Sequence, residues 1–213
     1  MLFLGSSCIY PKYAKQPIRE DALMTGHLEP TNDAYAIAKI AGIMQVQAVR
    51  RQYGLPWISA MPTNLYGPND NFSPRGSHVL PALIRRYDEA VRTGAEKVEN
   101  WGSGTPRREF LHVDDLADAC VYLLERYDGP EHVNVGTGTD LQIRDIAAAI
   151  ARATGFTGET AWDRSKPDGT PQKLLDVTKL SEIGWQSRID LDEGIRSTVE
   201  WFRAHRTSLT ERG

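Results

Sequence analysis

A tyrosine and a lysine four positions apart, Tyr35 and Lys39, are the residues of this 213-residue chain that most directly suggest chemistry. Residues i and i+4 lie on the same face of a helix, so the lysine ammonium can approach the phenol hydroxyl. A nearby cation favours the ionised phenol, so such a tyrosine can donate and accept a proton near neutral pH. By itself, the same spacing is also compatible with a core tyrosine beside a solvated lysine.

Two serines precede this pair at the end of a short apolar segment. Residues 2–5 predict a buried strand, and Ser6 and Ser7 follow it directly. Ser6 lies 29 positions before Tyr35. A serine, a tyrosine and a lysine in this order are the working groups of a carbonyl reductase site. We therefore expect Ser6, with Ser7 as the alternative, to bind the oxygen of a ketone that Tyr35 protonates.

Composition and charge exclude several classes of function. The net charge of -3 provides no basic field for nucleic acid. No apolar run approaches the roughly 18 residues of a membrane span. Two cysteines are too few for a disulfide framework or a four-ligand metal site. We therefore expect a cytoplasmic protein with no metal, no nucleic-acid partner and no membrane contact.

Strands alternate with helices along the chain, which predicts an α/β fold on a parallel sheet. The expected strands are 2–5, 57–61, 96–101, 108–112 and 132–135. The expected helices are 34–53, stopped by Gly54 and Pro56, then 77–93, one opening at Asp114, 143–154, and two short ones that end by about Ala204. Residues 62–76 predict a polar loop. The continuous apolar run 57–61 predicts a strand buried on both faces.

The helix that opens at Asp114 has a predicted core face and a predicted charge at its N-terminus. The core face is expected to carry Leu116, Cys120, Val121 and Leu124. Asp114 and Asp115 are expected to satisfy the free amides of the first turn.

A glycine-rich turn of the kind that binds dinucleotides is missing from this sequence. Gly136 and Gly138 follow a predicted strand, but no third glycine opens the helix, so we interpret this turn as a tight left-handed corner. The chain therefore looks like the back part of a doubly wound enzyme that lacks its first βαβ units.

Segments spread over essentially the whole chain carry a resemblance to one family. They include SSCIYP at 6–11, YAIAKIAG at 35–42, PTNLYGP at 62–68, SHVLPAL at 77–83 and REFLHVDD at 108–115. These segments closely resemble the GDP-L-fucose synthases, which are extended short-chain dehydrogenase/reductases. Members of that family epimerise GDP-4-keto-6-deoxy-D-mannose at C3 and C5 and reduce C4 with NADPH.

The resemblance implies the back part of a Rossmann-type parallel sheet, with a smaller C-terminal α/β region. Residues 1–75, with elements from about 107–136, would form the C-terminal part of the NADP-binding domain, and 76–213 would mainly bind the GDP-sugar. It also implies an N-terminally incomplete protein that binds NADPH poorly and turns over negligibly alone. A homodimer through helices 34–53 and 77–93 is implied as well.

The resemblance assigns roles to individual residues of this chain. The implied catalytic residues are Ser6, Tyr35 and Lys39 for reduction, and Cys8 and His78 for epimerisation. The implied NADP(H)-binding residues are Leu4, Gly5, Ser6, Ser7, Lys39, Pro62, Thr63, Asn64, Leu65 and His78. The implied GDP-sugar-binding residues are Arg86, Trp101, Arg108 and Asp168.

Other interpretations of these residues remain open at this point. A lone cysteine or histidine is more often a core or surface group than a catalyst, Arg86 could belong to a solvated helix face, and Trp101 could be ordinary packing. The chain could also be a different nucleotide-sugar epimerase or dehydratase, or a non-catalytic truncated remnant.

Overall fold

The computed structural model describes residues 1–74 and 76–210, with 208–210 described by their backbone alone. The chain divides into two compact units. The first comprises Met1–Leu65, Arg108–Asp140 and Gln172–Arg188, and the second comprises Tyr66–Arg107, Leu141–Pro171 and the segment that starts at Ile189. None of the described helices is long and apolar enough to cross a membrane.

Strands and helices alternate, as the sequence predicts. The strands are β1 (Leu2–Leu4), β2 (Ile58–Pro62), β3 (Asn64–Tyr66), β4 (Lys97–Trp101), β5 (Arg107–His112), β6 (Val133–Val135), β7 (Asp140–Gln142), β8 (Glu159–Asp163) and β9 (Gln172–Lys173). The α-helices are α1 (Asp33–Tyr53), α2 (Val79–Thr93), α3 (Val113–Arg126), α4 (Ile143–Thr154), α5 (Thr178–Ile183) and α6 (Leu191–Thr210). Short 3-10 helices occur at Ser7–Ile9 and Glu20–Ala22.

A parallel three-stranded sheet with the order β1-β2-β6 forms the centre of the first unit. Every residue of the middle strand β2 is buried, which confirms the prediction of a strand covered on both faces. A further sheet has the order β3-β5-β7, with β9 paired to β5. In the second unit, β4 and β8 form a parallel pair. The predicted α/β fold with parallel strands is confirmed.

Helix α1 lies very close to strand β1 because a glycine faces the strand. A Cβ at Gly42 would overlap the ring of Phe3, so any larger residue there would push the helix away. Gly54 ends the helix in the left-handed conformation, with φ 65°, as predicted. This close approach brings the N-terminal half of α1 to the end of β1.

The predicted core face of α3 is partly wrong. Leu116, Ala119 and Leu123 are buried, whereas Val121 and Leu124 are 58% and 53% exposed. Cys120 is half-buried against the core, as expected. The apolar residues of this helix cover more than one face, and only packing against β2 and β6 decides which of them is buried.

The N-terminus of α3 also differs from the prediction. The ring nitrogen Nδ1 of His112 accepts the Asp114 N–H at 3.2 Å and caps the helix. The Asp115 carboxylate is buried and accepts the Arg188 N–H at 3.1 Å, so it does not act as an exposed charge at the helix terminus. A partner 73 positions away is not visible in local sequence.

Two further elements depart from the sequence predictions. Residues 64–66 form strand β3 inside the predicted polar loop, because they pair with β5. The end of the chain carries one 20-residue helix, α6, after the short α5, and α6 continues beyond Ala204. Its buried Ile195, Val199 and Phe202 recur at helical spacing. The left-handed corner expected after β6 is confirmed at Gly138, with φ 71°.

Candidate active site

Tyr35 and Lys39 lie at the end of strand β1, on the exposed side of α1. The Lys39 ammonium donates to the Leu4 carbonyl oxygen at 2.9 Å and stands 5.6 Å from the centre of the Tyr35 ring. Tyr35 is 47% exposed, so it is not a core residue. The structure therefore brings together the two groups that the sequence pairs, with the phenol open to a ligand.

Ser6 begins the 3-10 helix Ser7–Ile9 and is half-buried. Its Oγ accepts the Cys8 N–H at 3.2 Å, which orients the oxygen and leaves the hydroxyl hydrogen to be donated elsewhere. Ser7 is only 3% exposed. Accessibility therefore favours Ser6 over Ser7 as the donor to a substrate oxygen, and this role stays a prediction.

Cys8 contacts a lysine that the sequence analysis did not identify. The Lys173 ammonium, on strand β9, donates to the Cys8 sulfur at 3.5 Å. Burial lowers the pKa of Lys173, the contact with Cys8 opposes this shift, and the charge of Arg108 adds to it. Burial also lowers the pKa of Arg108. Cys8 and Lys173 thus form a hydrogen-bonded pair in the first unit, and the charge of Arg108 acts on Lys173.

The segment 62–65, which the resemblance assigns to cofactor binding, uses its polar side chains inside the protein. Asn64 Nδ2 donates to the Glu109 carbonyl oxygen at 2.8 Å, and Thr63 Oγ1 donates to the same oxygen at 3.4 Å. Pro62 is buried within β2, and Leu65 packs against the core. A cofactor contact from this segment would have to come mainly from its backbone.

Glu109 is a buried carboxylate whose hydrogen bonds hold two loops of the first unit. Its Oε1 accepts the N–H groups of Thr137 and Gly138 at 2.7 and 2.8 Å, and its Oε2 accepts the Leu175 N–H at 3.1 Å. Burial raises the pKa of Glu109, and these amide donors oppose the shift. Its contacts identify Glu109 as a residue that positions the loop after β6 and the chain after β9.

In the second unit, Arg86 ties helix α2 to strand β4. Its guanidinium donates to the Glu99 carbonyl oxygen at 3.0 Å and to Asn100 Oδ1 at 2.8 Å. Burial and the charge of Arg85 lower the pKa of Arg86. Arg86 is therefore not part of a freely solvated helix face.

Trp101 and Asp168 flank one loop of the second unit. Trp101 is 71% exposed at the end of β4, which rules out ordinary core packing. Asp168 accepts the Ser103 N–H at 2.8 Å and its hydroxyl at 2.7 Å, and the hydroxyl bond is the main reason that its pKa is lowered. Gly102, with φ 81°, leaves the space that the Asp168 carboxylate fills. The Asp168 carboxylate thus lies against Gly102, the residue that follows the exposed Trp101.

His78 is exposed at the residue before α2 and makes no side-chain bond to the helix amides. It belongs to the second unit, whereas Cys8 belongs to the first. The predicted partnership of His78 with Cys8, and its predicted cofactor contact, therefore stay predictions.

Comparison with known proteins shows which families this chain is similar to. The model of the NAD dependent epimerase/dehydratase family matches residues 1–136. GDP-L-fucose synthase 1 of Arabidopsis thaliana is 60% identical over 202 residues, which cover 95% of this chain and 62% of that protein. GDP-L-fucose synthase of Escherichia coli (strain K12) is 56% identical over 211 residues, covering 95% of this chain and 66% of that protein. The chain thus spans less than two thirds of either relative.

Solved structures of similar enzymes share this fold. A GDP-L-fucose synthetase from Naegleria fowleri bound to NADP has a TM-score of 0.91 at 30% identity, covering 97% of this chain and 67% of that one. A GDP-6-OMe-4-keto-L-xylo-heptose reductase from C. jejuni has a TM-score of 0.89 at 33% identity, covering 96% and 70%. The resemblance to the GDP-L-fucose synthases is confirmed.

Proposed function

This chain belongs to the NAD dependent epimerase/dehydratase family, and we propose that it carries the catalytic and substrate-binding part of an enzyme that makes GDP-L-fucose. In this reaction GDP-4-keto-6-deoxy-D-mannose is epimerised at C3 and C5 and reduced at C4 with NADPH. The observation that carries the proposal is the Lys39 ammonium, held on the Leu4 carbonyl beside an exposed Tyr35. The high identity to GDP-L-fucose synthases supports the choice of substrate.

The groups at the end of β1 fit the nicotinamide riboside of NADPH. Lys39 uses one N–H on the Leu4 carbonyl, so further ammonium N–H groups can reach ribose hydroxyls. We propose that Leu4, Gly5, Ser6 and Ser7 supply backbone contacts here, together with the backbone of 62–65. Bound NADPH supplies the hydride for C4.

Reduction of the ketone requires a proton donor and a group that binds the oxygen. Tyr35 would give its proton to the oxyanion at C4, and the Lys39 charge would stabilise the phenolate that this leaves. Ser6 would donate its hydroxyl hydrogen to the same oxygen. Its Oγ already accepts the Cys8 N–H, so the oxygen is held in place before the substrate arrives.

Epimerisation requires two groups that exchange protons with carbon. The ketone at C4 acidifies the C–H bonds at C3 and C5, and the electron pair moves onto the enolate oxygen when a base removes either proton. An acid on the opposite face of the ring then returns a proton and inverts the centre. We propose Cys8 and His78 for these roles, because thiols and imidazoles titrate on either side of neutrality.

The GDP moiety requires cations and a flat surface. Arg86 and Arg108 would bind the diphosphate through their planar guanidinium groups. The exposed ring of Trp101 offers a stacking surface for the base, and Asp168 retains acceptor capacity for a ribose or base N–H or O–H. These assignments rest on the family resemblance and, for Trp101 and Asp168, on their exposure.

The proposal extends to assembly and location. We propose a homodimer through α1 and α2, because both helices expose apolar side chains, among them Ile37, Met44 and Tyr53 on α1 and Val79 and Val91 on α2. We also propose a cytoplasmic location and the division of NADP binding and GDP-sugar binding between 1–75 and 76–213. A dimer dissociated by Ile37→Glu, but not by Val121→Glu on α3, would support the interface.

Isotope exchange tests the proposed function. The chain is incubated in D2O with GDP-4-keto-6-deoxy-D-mannose, and deuterium at C3 and C5 is followed by NMR, first without NADPH and then with NADPH in excess. Exchange at C3 and C5 is expected in the first stage, whereas NADPH oxidation by this chain alone is expected to be negligible in the second. Cys120→Ser should behave as the wild type. A chain that neither exchanges these protons nor oxidises NADPH would leave the non-catalytic alternative standing.

A further inference from the structure

The contact between Lys173 and Cys8 has a consequence beyond the family assignment, although it builds on the proposed function. We propose that Lys173 is a positioning residue that holds Cys8 as a thiolate and shares one proton with it. The carrying observation is the 3.5 Å distance between Lys173 Nζ and Cys8 Sγ, which is within hydrogen-bond reach of a sulfur acceptor.

Separate hydrogen bonds fix the backbone at Cys8 and the backbone next to Lys173. The Cys8 N–H donates to Ser6 Oγ, and its neighbours Ser7 and Ile9 are buried. On the other side, Gln16 Oε1 accepts the Leu174 N–H at 2.8 Å, and Glu109 Oε2 accepts the Leu175 N–H at 3.1 Å. The two functional groups therefore meet through backbone segments that are fixed independently, and a substrate is not needed to bring them together.

Charge and burial explain why this pair is suited to proton exchange. Transfer of the thiol proton to the Lys173 amine leaves a thiolate and an ammonium, whose attraction offsets part of the cost of burying them. Burial lowers the pKa of Lys173, Cys8 opposes this, and Arg108 favours the neutral amine. The buried carboxyl of Glu109 accepts the Leu175 N–H on the same segment and the N–H groups of Thr137 and Gly138 on the loop after β6.

The role in the reaction follows from this arrangement. The thiolate removes a proton from the carbon next to the ketone, an S–H bond forms, and the C–H electron pair moves onto the enolate oxygen. The ammonium stays in place and stabilises the thiolate before this step, and after it the sulfur is a neutral thiol. Atoms and charge balance without any oxidant or co-reactant.

Alkylation of Cys8 measures this effect directly. The full chain, without nucleotide, is treated with iodoacetamide at a series of pH values, and the labelling of Cys8 and Cys120 is followed by peptide mass spectrometry. In Lys173→Met, Cys8 labelling at pH 7 should fall by about tenfold or more, with its pH profile moved upward, because the thiolate is the reactive form. Lys173→Arg keeps the charge and should retain most of the reactivity.

Matched controls come from the chain itself. Lys179, which is ion-paired with Glu131 at 2.6 Å, belongs to the same unit, so Lys179→Met should leave the Cys8 profile unchanged. Cys120 should label equally in all variants if the fold is intact. If the labelling of Cys120 rises in Lys173→Met, that variant has lost its fold, and Lys173→Arg is compared with Lys173→Gln instead. Equal pH profiles of Cys8 labelling in these two variants would overturn the proposal.

An unchanged pH profile of Cys8 labelling in a folded Lys173→Met variant would also overturn the proposal. This holds even if the variant raises the KM for the GDP-sugar. That result would make Lys173 a ligand for the substrate's negative charge. The labelling needs neither substrate nor NADPH, so its result is independent of the proposed reaction. A chain with the predicted labelling but no isotope exchange would retain the Lys173–Cys8 pair and refute the function.

Discussion

Lys39 donates a hydrogen bond from its ammonium to the carbonyl oxygen of Leu4, 2.9 Å away. This bond joins helix α1 to the end of strand β1, and it directs the ammonium to a point 5.6 Å from the centre of the Tyr35 ring. The lysine of the pair is thus anchored by the strand, in addition to sharing a helix face with the tyrosine. The charge beside the phenol is therefore set before any ligand binds.

Removal of the Tyr35 hydroxyl should separate the two halves of the proposed reaction. In a version of the protein extended to the full length of its relatives, Tyr35→Phe is expected to lower the rate of NADPH oxidation by at least about 100-fold, since proton transfer by a positioned side chain contributes that much or more. Deuterium exchange at C3 and C5 should persist, because it needs no proton at O4. Tyr53→Phe, at the far end of α1, is the matched control. Unimpaired reduction in Tyr35→Phe would refute its assignment.

The exposed ring of Trp101 should contribute to nucleotide affinity. Trp101→Ala is expected to weaken GDP binding by about 1–3 kcal/mol, which is the range for stacking of a base on an aromatic side chain. Titration calorimetry with GDP measures this, and Tyr13→Ala, an exposed aromatic of the first unit, serves as the control. Equal affinity in Trp101→Ala and the wild type would place the base elsewhere.

The close contact between Gly42 and Phe3 predicts an unusual sign for a helix substitution. Replacing a solvated mid-helix glycine by alanine normally stabilises by about 1 kcal/mol. At Gly42 the added methyl would overlap the Phe3 ring, so Gly42→Ala should instead lower the free energy of unfolding by about 1–2 kcal/mol. Urea denaturation measures the change, and Phe3→Leu should restore part of it in the double variant. A more stable Gly42→Ala would show that the helix does not depend on this approach.

Buried His132 should make stability depend on pH. Tyr10 donates its hydroxyl hydrogen to Asn134 Oδ1 at 2.5 Å, so His132 must donate to Tyr10 through Nε2, at 3.0 Å, as a neutral ring. Burial lowers the pKa of His132 to about 4. The charge of Lys179 adds to this shift, and the charge of Glu131 opposes it.

The lowered pKa of His132 sets the direction in which stability changes with pH. Between about pH 6.5 and pH 4 the unfolded chain binds a proton that the folded chain does not, so stability should fall as pH falls, by up to about 3 kcal/mol in total. His132→Gln should remove this part of the slope in urea titrations at several pH values, whereas the exposed His27→Gln should not. Identical slopes in the wild type and His132→Gln would contradict the assignment.

Sequence alone was sufficient wherever the determining interaction is local. The four-residue spacing places Tyr35 and Lys39 on one helix face, Gly54 ends that helix, and the apolar run before Pro62 predicts a strand buried on both faces. Each depends on the backbone period or on one residue's conformational range. Short segments such as 6–11 and 35–42 also carried the family resemblance, which the comparisons confirm.

Tertiary structure decided the relationships between distant segments. Lys173 lies beside Cys8 although 165 positions separate them, and Glu109 holds backbone amides on two loops that come later in the chain. Val121 and Leu124 are exposed, while Ala119 is buried, because the neighbouring strands select one face of α3. A side chain's partner across a sheet depends on strand order and packing, and neither periodicity nor residue type encodes that order within a short stretch of sequence.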